Sequence, residues 1–184
     1  MSDKTRAFTR LYTLLAVLLL LPLLAQAKSA TEIDIGVEQT LKRFEKEIPG
    51  GKEFLDKAVG VLVFPSVLKA GIGIGGEYGE GALRVGGKTV AYYSTAAASI
   101  GFQLGAQSKS VVIVFLTKKA LEGFRNSKGW KAGVDGSVAL VEWGVGEDIN
   151  TIDIKDPIVG FVFGNKGLMY NLTLEGSKFT RIKK

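Results

Sequence analysis

The 184-residue chain contains no cysteine and no histidine, and it has only 4 prolines. The absence of cysteine excludes a disulfide framework, a thiol nucleophile, a zinc finger and a lipidated cysteine. The absence of histidine excludes a Ser-His-Asp triad and a His-ligated metal. An apolar content of 46% is ordinary for a folded protein and too high for a disordered one. These counts say more about compartment and architecture than about chemistry.

The first 27 residues have the pattern of a secretory signal peptide. A positive segment with Lys4, Arg6 and Arg10 precedes Leu11–Leu24, a run of 14 residues rich in leucine, and Ala25-Gln26-Ala27 has the small-x-small pattern of a cleavage site. A helix of that length spans roughly 21 Å, short of a ~30 Å hydrocarbon core, which favours cleavage after Ala27 over an uncleaved anchor. The chain has no Arg-Arg pair, so we expect export by the general secretory route to the periplasm or cell envelope of a bacterium.

Residues 28–184 are then expected to form a single domain of 157 residues, with 21 Lys+Arg against 17 Asp+Glu. Ser29 and Glu32 fit a capping box at the start of a helix. The apolar residues that follow lie on one helical face until Pro49-Gly50-Gly51: Ile33, Val37, Leu41, Phe44 and Ile48. A second short helix is predicted over Lys52–Ala58.

Beyond Ala58 the apolar pattern changes to that of β-strands. Val59–Phe64 is predicted as a buried strand ended by Pro65, and Gly86-Gly87 as a hairpin turn. Lys118–Asn126 is predicted as a short helix with Thr117 as its N-cap. Further strand-like runs cover 70–78, 82–85, 89–93, 96–104, 110–116, 132–145, 151–154, 158–163 and 168–174, with a turn at 165–167.

Together these patterns predict two N-terminal helices, one inserted helix and about eight strands. Glycine recurs at every second or third residue of the strand-like runs, which favours a strongly bent sheet. We therefore expect the α+β class: N-terminal helices packed on a glycine-rich, strongly bent antiparallel β-sheet, barrel- or sandwich-like, with one inserted short helix.

Two glycine-rich segments imitate nucleotide-binding motifs without the context that those motifs need. Gly71–Gly76 matches G-x-G-x-x-G, but the residues that follow do not form a helix. Ala82–Thr89 approaches a Walker A sequence, but Val90–Tyr93 is typical of a strand. Both are interpreted as strands and turns, and no cofactor is expected.

The sequence offers little support for a metal site or a catalytic site. Asp148, Asn150, Asp153 and Asp156 could supply oxygen ligands to calcium, but their spacing fits no EF-hand and favours a solvated turn. Ser94 or Ser99 with a lysine is the only plausible nucleophile and base, yet no known motif places a base beside them. Strand carboxylates such as Glu77 and Glu80 are expected to be solvated. No metal is expected, and the protein is not expected to be an enzyme.

Residues 118–131 combine positive charge with aromatic residues. This segment has five cations against Glu122, a local net charge of +4, and Phe124 and Trp130 are interspersed: Lys118, Lys119, Arg125, Lys128 and Lys131. Such a basic helix suits an anionic membrane surface, where each cation contributes about 1 kcal/mol. The alternative is a solvated helix whose aromatic residues face the core. Nucleic acid is not expected as a partner of an exported protein.

The chain from Ala58 onward contains an ordered series of motifs: Val59–Pro65, Gly71–Gly76, Gly79 with Gly81, Tyr93-Ser94, Ser99–Gln107, Val111–Leu116, Phe124, Gly164 with Gly167-Leu-Met-Tyr170, and Leu174–Ser177. In these motifs the chain resembles the SYLF-domain family, a lipid-binding domain also called the yeast actin-patch-type domain. The resemblance implies an α+β domain and lipid binding, with phosphoinositides and phosphatidic acid as ligands of eukaryotic members. Some eukaryotic members also bind actin, which is not expected as a partner in a bacterial envelope.

Two features depart from the family pattern. The Trp-Ser-x-Pro motif is Tyr93-Ser-Thr-Ala96 here, and residues 28–58 carry 6 Lys+Arg against 7 Asp+Glu where the family has a basic helix. Membrane contact by that helix would be mainly hydrophobic or limited to Lys42, Arg43 and Lys46.

The predicted function is that of an exported, non-enzymatic phospholipid-binding protein of the envelope. The lipid-binding residues are expected among Lys42, Arg43, Lys46 and the 118–131 segment, including Trp130. The alternative is a structural or protein-interaction domain that uses strand edges to bind itself or an envelope protein.

Overall fold

The computed structural model describes residues 28–142, 156–166, 174 and 176–184. The helices are α1 (Ala30–Glu47), α2 (Gly51–Lys57) and α3 (Lys118–Asn126). The strands are β1 (Gly60–Val85), β2 (Lys88–Phe115), β3 (Trp130–Lys131), β4 (Ala139–Glu142), β5 (Ile158–Lys166) and β6 (Lys178–Ile182).

Helix α1 begins at the predicted capping box. The Ser29 hydroxyl accepts a hydrogen bond from the Glu32 amide at 3.2 Å, and the Ser29 amide donates to Glu32 Oε2 at 2.7 Å. Asp34 then ties the first turns of α1 to strand β2, because its carboxylate accepts hydrogen bonds from Thr89 Oγ1 at 2.7 Å and Tyr92 Oη at 2.8 Å. These contacts fix α1 across the sheet.

Strands β1 and β2 form one long antiparallel hairpin whose turn is Gly86-Gly87, as predicted, with φ angles of 56° and 76°. The prediction that Pro65 ends a strand is wrong. β1 continues through Pro65 to Val85, and the pairing register shifts between Phe64 and Val67. A bulge leaves one residue out of the ladder, so a proline there removes no required hydrogen bond.

Strand β2 is the spine of the sheet. It pairs with β1 along its length, with β6 through Tyr92–Ala96 and with β5 through Ser108–Phe115. The pairs are antiparallel except for β4 with β5, and the order is β3-β6-β2-β5-β4 with β1 on β2. Each half of the long hairpin therefore has its own partner strands.

The two halves of the hairpin curl onto one another. Residues 79–81 lie against residues 63–67: a Cβ at Gly79 would lie 2.9 Å from the Ser66 carbonyl oxygen, and one at Gly81 would overlap the Val63 carbonyl oxygen. If the halves of β1 and β2 are counted separately, the six described strands make eight segments. The expected α+β architecture, with helices packed on a strongly curled and mostly antiparallel sheet, is confirmed.

Alternating strand residues build two hydrophobic clusters on opposite faces of the sheet. The first lies inside the curl and includes Leu62, Phe64, Ile113 and Phe115, with Leu121 and Phe124 of α3. The second lies under α1 and α2 and contains Ile33, Val37, Phe44, Ile48, Phe54, Val61, Val63, Ala82, Val112, Val114, Val159, Phe161 and Phe163. Helices α1 and α3 therefore pack on opposite faces.

Several predicted elements fall outside the described residues: the signal peptide at 1–27, the strands at 151–154 and 168–174 apart from Leu174, and most of the 148–156 loop. Strands β3 and β6 are additional findings. β3 pairs with β6 through Trp130 and Phe179, which adds an edge strand to the sheet beside α3.

Candidate functional site

Helix α3 is anchored by its apolar side and by its N-cap. The Thr117 hydroxyl accepts a hydrogen bond from the Ala120 amide at 3.2 Å, as predicted. Leu121 and Phe124 are buried, and the Phe124 ring centroid lies 4.9 Å from that of Tyr93 and 5.0 Å from that of Phe115. The polar side of the helix is thereby oriented outward.

The five cations of this segment form a surface that we call the α3 basic surface: Lys118, Lys119, Arg125, Lys128 and Lys131. All five are exposed, and none makes an ion pair with another described residue. Unpaired exposed cations keep their hydration and their full attraction for an external anion. The α3 basic surface therefore has charge available for a ligand.

Trp130 does not belong to that surface. Its side chain is 4% exposed, and its ring centroid lies 5.7 Å from that of Phe124 and 5.9 Å from that of Phe179. Both aromatic residues of the segment face the core, as in the second of the two interpretations of the sequence. Their rings hold α3 and β3 in place and leave contact with a ligand to the cations.

A groove of about 650 Å³ runs beside α3. Lys119, Phe124, Trp130, Asp135 and Asp156 are among its lining residues. The two carboxylates make the groove less suitable for an anion than the outer side of the helix, where Glu122 is the only described acid within residues 118–131.

Two of the three α1 cations that were predicted to bind lipid make ion pairs with acids on the same helix. Lys42 Nζ lies 2.9 Å from Glu38 Oε1, and Arg43 Nε lies 3.0 Å from Glu47 Oε1. Lys46 is exposed and has no ion pair among the described residues. Because α1 and α3 pack on opposite faces of the sheet, the structure does not bring these cations to the α3 basic surface.

Glu77 belongs to a buried ionic cluster, so the expectation that it is solvated is wrong. Lys69 Nζ lies 3.3 Å from Glu77 Oε1, and Lys109 Nζ lies 2.8 Å from Glu77 Oε2, with side-chain exposures of 4%, 1% and 8% for Lys69, Lys109 and Glu77. Lys109 Nζ makes an ion pair with Glu77, but the geometry of this contact is not that of a hydrogen bond. Eight residues of straight strand would separate Lys69 and Glu77 by roughly 26 Å, so the contact exists because β1 bends back on itself.

Glu80 is also buried, again contrary to expectation. Its Oε1 accepts a hydrogen bond from Tyr78 Oη at 3.0 Å, and its Oε2 accepts from Lys184 Nζ at 2.9 Å and from the Lys28 backbone nitrogen at 3.2 Å. Burial alone would raise the pKa of Glu80, but the Lys184 ammonium and the Tyr78 hydroxyl outweigh it and hold that pKa below its usual value. Glu80 is therefore a charged carboxylate, and both of its oxygens accept hydrogen bonds.

Of the two candidate nucleophiles, the structure describes the side chain of Ser94 and joins it to no base among the described residues. Ser94 lies in β2 opposite Thr180 of β6, and its side chain makes no hydrogen bond to another described residue. The side chain of Ser99 lies outside the described part of the chain. Among the described residues, no group of three or more acidic side chains is placed to hold a metal ion. Of the four calcium candidates that the sequence analysis set aside, only Asp156 lies within the described residues. None of the described helices has both the length and the apolar character that crossing a bilayer requires.

Part of the chain matches a known protein family. Residues 96–184 match the family described as "Ysc84: Las17-binding protein actin regulator". The motifs that carry the SYLF resemblance from Ser99 onward lie inside the matched range, whereas Val59–Pro65 and Gly71–Gly76 precede it. No curated protein matches the chain.

Proposed function

The chain belongs to the Ysc84/SYLF domain family over residues 96–184, and from this premise we propose that it is an exported, non-catalytic protein that binds anionic phospholipid surfaces. The SYLF domain is known as a lipid-binding and actin-regulatory domain, and members of the family are generally non-catalytic. Export to a bacterial periplasm or envelope is supported by the signal-peptide pattern of residues 1–27. Actin is not expected in a bacterial envelope, so lipid binding is the family property that we propose for this chain.

The observation that carries the proposal is the α3 basic surface. Its cations are exposed and free of ion pairs with described residues, whereas the cations of the buried clusters are paired with Glu77 and Glu80. Each Lys or Arg near an anionic membrane contributes about 1 kcal/mol, and the attraction falls off within a Debye length. Three such residues together supply about 3 kcal/mol, which corresponds to about a hundredfold in affinity.

Co-sedimentation with vesicles tests the proposal. Residues 28–184 are mixed with vesicles of neutral phosphatidylcholine or with vesicles that also contain anionic phosphatidylglycerol, at low and at high salt. We expect binding to the anionic vesicles only, and we expect salt to reverse it. The variant Lys118→Glu/Lys119→Glu/Arg125→Glu should bind at least about a hundredfold more weakly while its melting temperature stays the same.

A matched variant controls for net charge. Lys57→Glu/Lys88→Glu/Lys183→Glu makes the same change in charge at exposed positions outside the 118–131 segment, and we expect it to bind less than about tenfold more weakly. Equal losses in the two variants would show that total charge, and not the α3 basic surface, is responsible. Salt-resistant binding would point instead to exposed apolar side chains such as Leu68 and Tyr78, which are 59% and 54% exposed. Binding to neither kind of vesicle would favour a protein partner.

A further inference from the structure

We propose that Glu80 is the acceptor for the α-ammonium group that signal-peptide cleavage creates on Lys28. The proposal rests on the proposed export and on the predicted cleavage after Ala27, and it is independent of lipid binding. Hydrolysis of the Ala27–Lys28 peptide bond by the peptidase of the export pathway consumes one water. It leaves a carboxylate on Ala27 and an ammonium on Lys28.

The backbone of Lys28 is already bound at both of its polar atoms. Its nitrogen lies 3.2 Å from Glu80 Oε2, and its carbonyl oxygen accepts a hydrogen bond from Lys184 Nζ at 2.8 Å. Lys184 Nζ also lies 2.9 Å from the same Glu80 oxygen. Glu80 and Lys184 therefore form a receptor for the one residue that the predicted cleavage makes terminal.

Cleavage would change the Lys28 donor to Glu80 from a neutral amide into an ammonium. Before hydrolysis the Lys28 nitrogen is an amide with one N–H donor, and afterwards it is an ammonium with three. The carboxylate of Glu80 is charged in both states, so the new positive charge adds a Coulombic attraction to the existing hydrogen bond, and because Glu80 is buried this attraction is little screened by water. The contact is therefore expected to strengthen on cleavage.

The position of the new charge makes a carboxylate partner necessary. Lys28 directly precedes Ser29, the N-cap of α1, and the N-terminal end of a helix carries a partial positive charge. A free ammonium there, next to the charged side chain of Lys28, is unfavourable unless an acid is close. Glu32, in the capping box, receives the Ser29 amide and hydroxyl, so Glu80 is the described carboxylate that contacts the Lys28 nitrogen.

The experiment begins with the exported product. The full chain is produced in a bacterium with a general secretory pathway, and the mass of the exported protein is measured. We expect an N-terminus at Lys28, and a terminus at any other residue would overturn the proposal.

Two forms of the chain then test the effect of the positive charge on the Lys28 nitrogen. One begins at Lys28 and the other at Ala25, so that Lys28 is an amide and the ammonium lies three residues away. Both forms keep every buried core residue, because these lie between Ile33 and Phe179. The form that begins at Lys28 should melt about 2–4 °C higher, and this difference should disappear in the Glu80→Gln background. An equal melting temperature for the two forms, or a difference that persists with Gln at position 80, would overturn the proposal.

A second measurement does not depend on the folding of the Glu80→Gln variant. At pH 7 an amine-reactive anhydride should acylate the α-amine of the Lys28 form at least about fivefold more slowly than that of the Ala25 form, because a paired ammonium loses its proton less readily. Equal labelling rates would contradict the proposal. Vesicle binding should be the same for both forms, so that a failure of lipid binding and a failure of the Glu80 contact are separate results.

Discussion

The α3 basic surface and the curled β1–β2 hairpin contain the same kinds of charged residue in opposite states. In the α3 basic surface, five cations are exposed and make no ion pair with a described residue. In the hairpin, Lys69 and Lys109 are almost fully buried and share Glu77, while Glu80 takes three hydrogen bonds. A charge removed from water requires a partner, whereas an exposed charge does not.

This difference separates charges that hold the fold from charges that can bind a ligand. A buried ion pair is costly to break, because removing one partner leaves the other charged in a medium of low dielectric constant. An exposed cation can be removed with little effect on folding, because water solvates it in both states. We therefore expect substitutions in the hairpin to change stability and substitutions on α3 to change binding.

The largest expected effect is that of Glu77→Gln. The substitution leaves Lys69 and Lys109 buried without a carboxylate, and we expect the free energy of unfolding to fall by about 3–5 kcal/mol. Glu122→Gln on exposed α3 is the matched control, with a change below about 0.5 kcal/mol. Urea denaturation of both variants measures the two effects.

A triple variant sharpens this test. Lys69→Met/Glu77→Leu/Lys109→Met removes all the charges together, and it should recover most of the stability that Glu77→Gln loses, since a buried ion cluster can often be replaced by apolar residues without loss. A Glu77→Gln variant as stable as the parent would mean that the cluster is open to water.

The next effect is steric. Gly81→Ala places a Cβ against the Val63 carbonyl oxygen, where the two halves of β1 meet, and we expect a loss of about 1–3 kcal/mol. Gly123→Ala is the counterpart on α3: its Cβ would meet no atom within 4 Å, and the better helix former should add about 0.5–1 kcal/mol. Opposite signs in thermal or urea denaturation are expected. A loss in both variants would contradict the open environment of Gly123.

Features set by short-range chemistry could be predicted from the sequence. The capping box at Ser29, the N-cap at Thr117 and the glycine turn at Gly86-Gly87 depend on residues within a few positions of one another, and all three are confirmed. The α+β class follows from the same local patterns. The prediction for Pro65 was wrong because the residue lies in a bulge, where no ladder hydrogen bond from its nitrogen is needed. The sequence pattern does not reveal the bulge.

Burial of charge could not be predicted, because it depends on distant partners. Glu80 meets Lys184 across 104 positions of sequence, and Glu77 meets Lys109 only because the hairpin curls. The ion pair of Arg43 with Glu47 could have been predicted from the sequence, because the two residues are spaced i,i+4 on a helix. The burial of Trp130 could not be predicted, because it depends on Phe179 of strand β6, which packs against the Trp130 ring and which the sequence analysis did not identify as part of a strand.

A smaller loss of stability is expected when acid protonates Glu80. Its pKa is lowered in the folded state, so the carboxylate stabilises the fold above its unfolded pKa, near the usual value of 4.5, and this contribution is lost as the pH falls through the folded pKa. The parent should therefore lose more stability than Glu80→Gln as the pH falls below about 4.5. Tyr78→Phe removes one hydrogen bond to Glu80 and should lie between them. Parallel curves of stability against pH for parent and Glu80→Gln would contradict the lowered pKa.

The smallest effects compare single cations on the two helices. Lys119→Gln removes one unpaired charge from the α3 basic surface, and we expect affinity for anionic vesicles to fall about fivefold, which corresponds to about 1 kcal/mol. Lys46→Gln removes one unpaired charge from α1 on the opposite face of the sheet, and Lys42→Gln removes one that is paired with Glu38. Both should change affinity less than about twofold, because the sheet separates them from a membrane in contact with α3. A fivefold loss for Lys46→Gln as well would place α1 on the membrane too, and the contrast between the two helices would then no longer locate the binding surface.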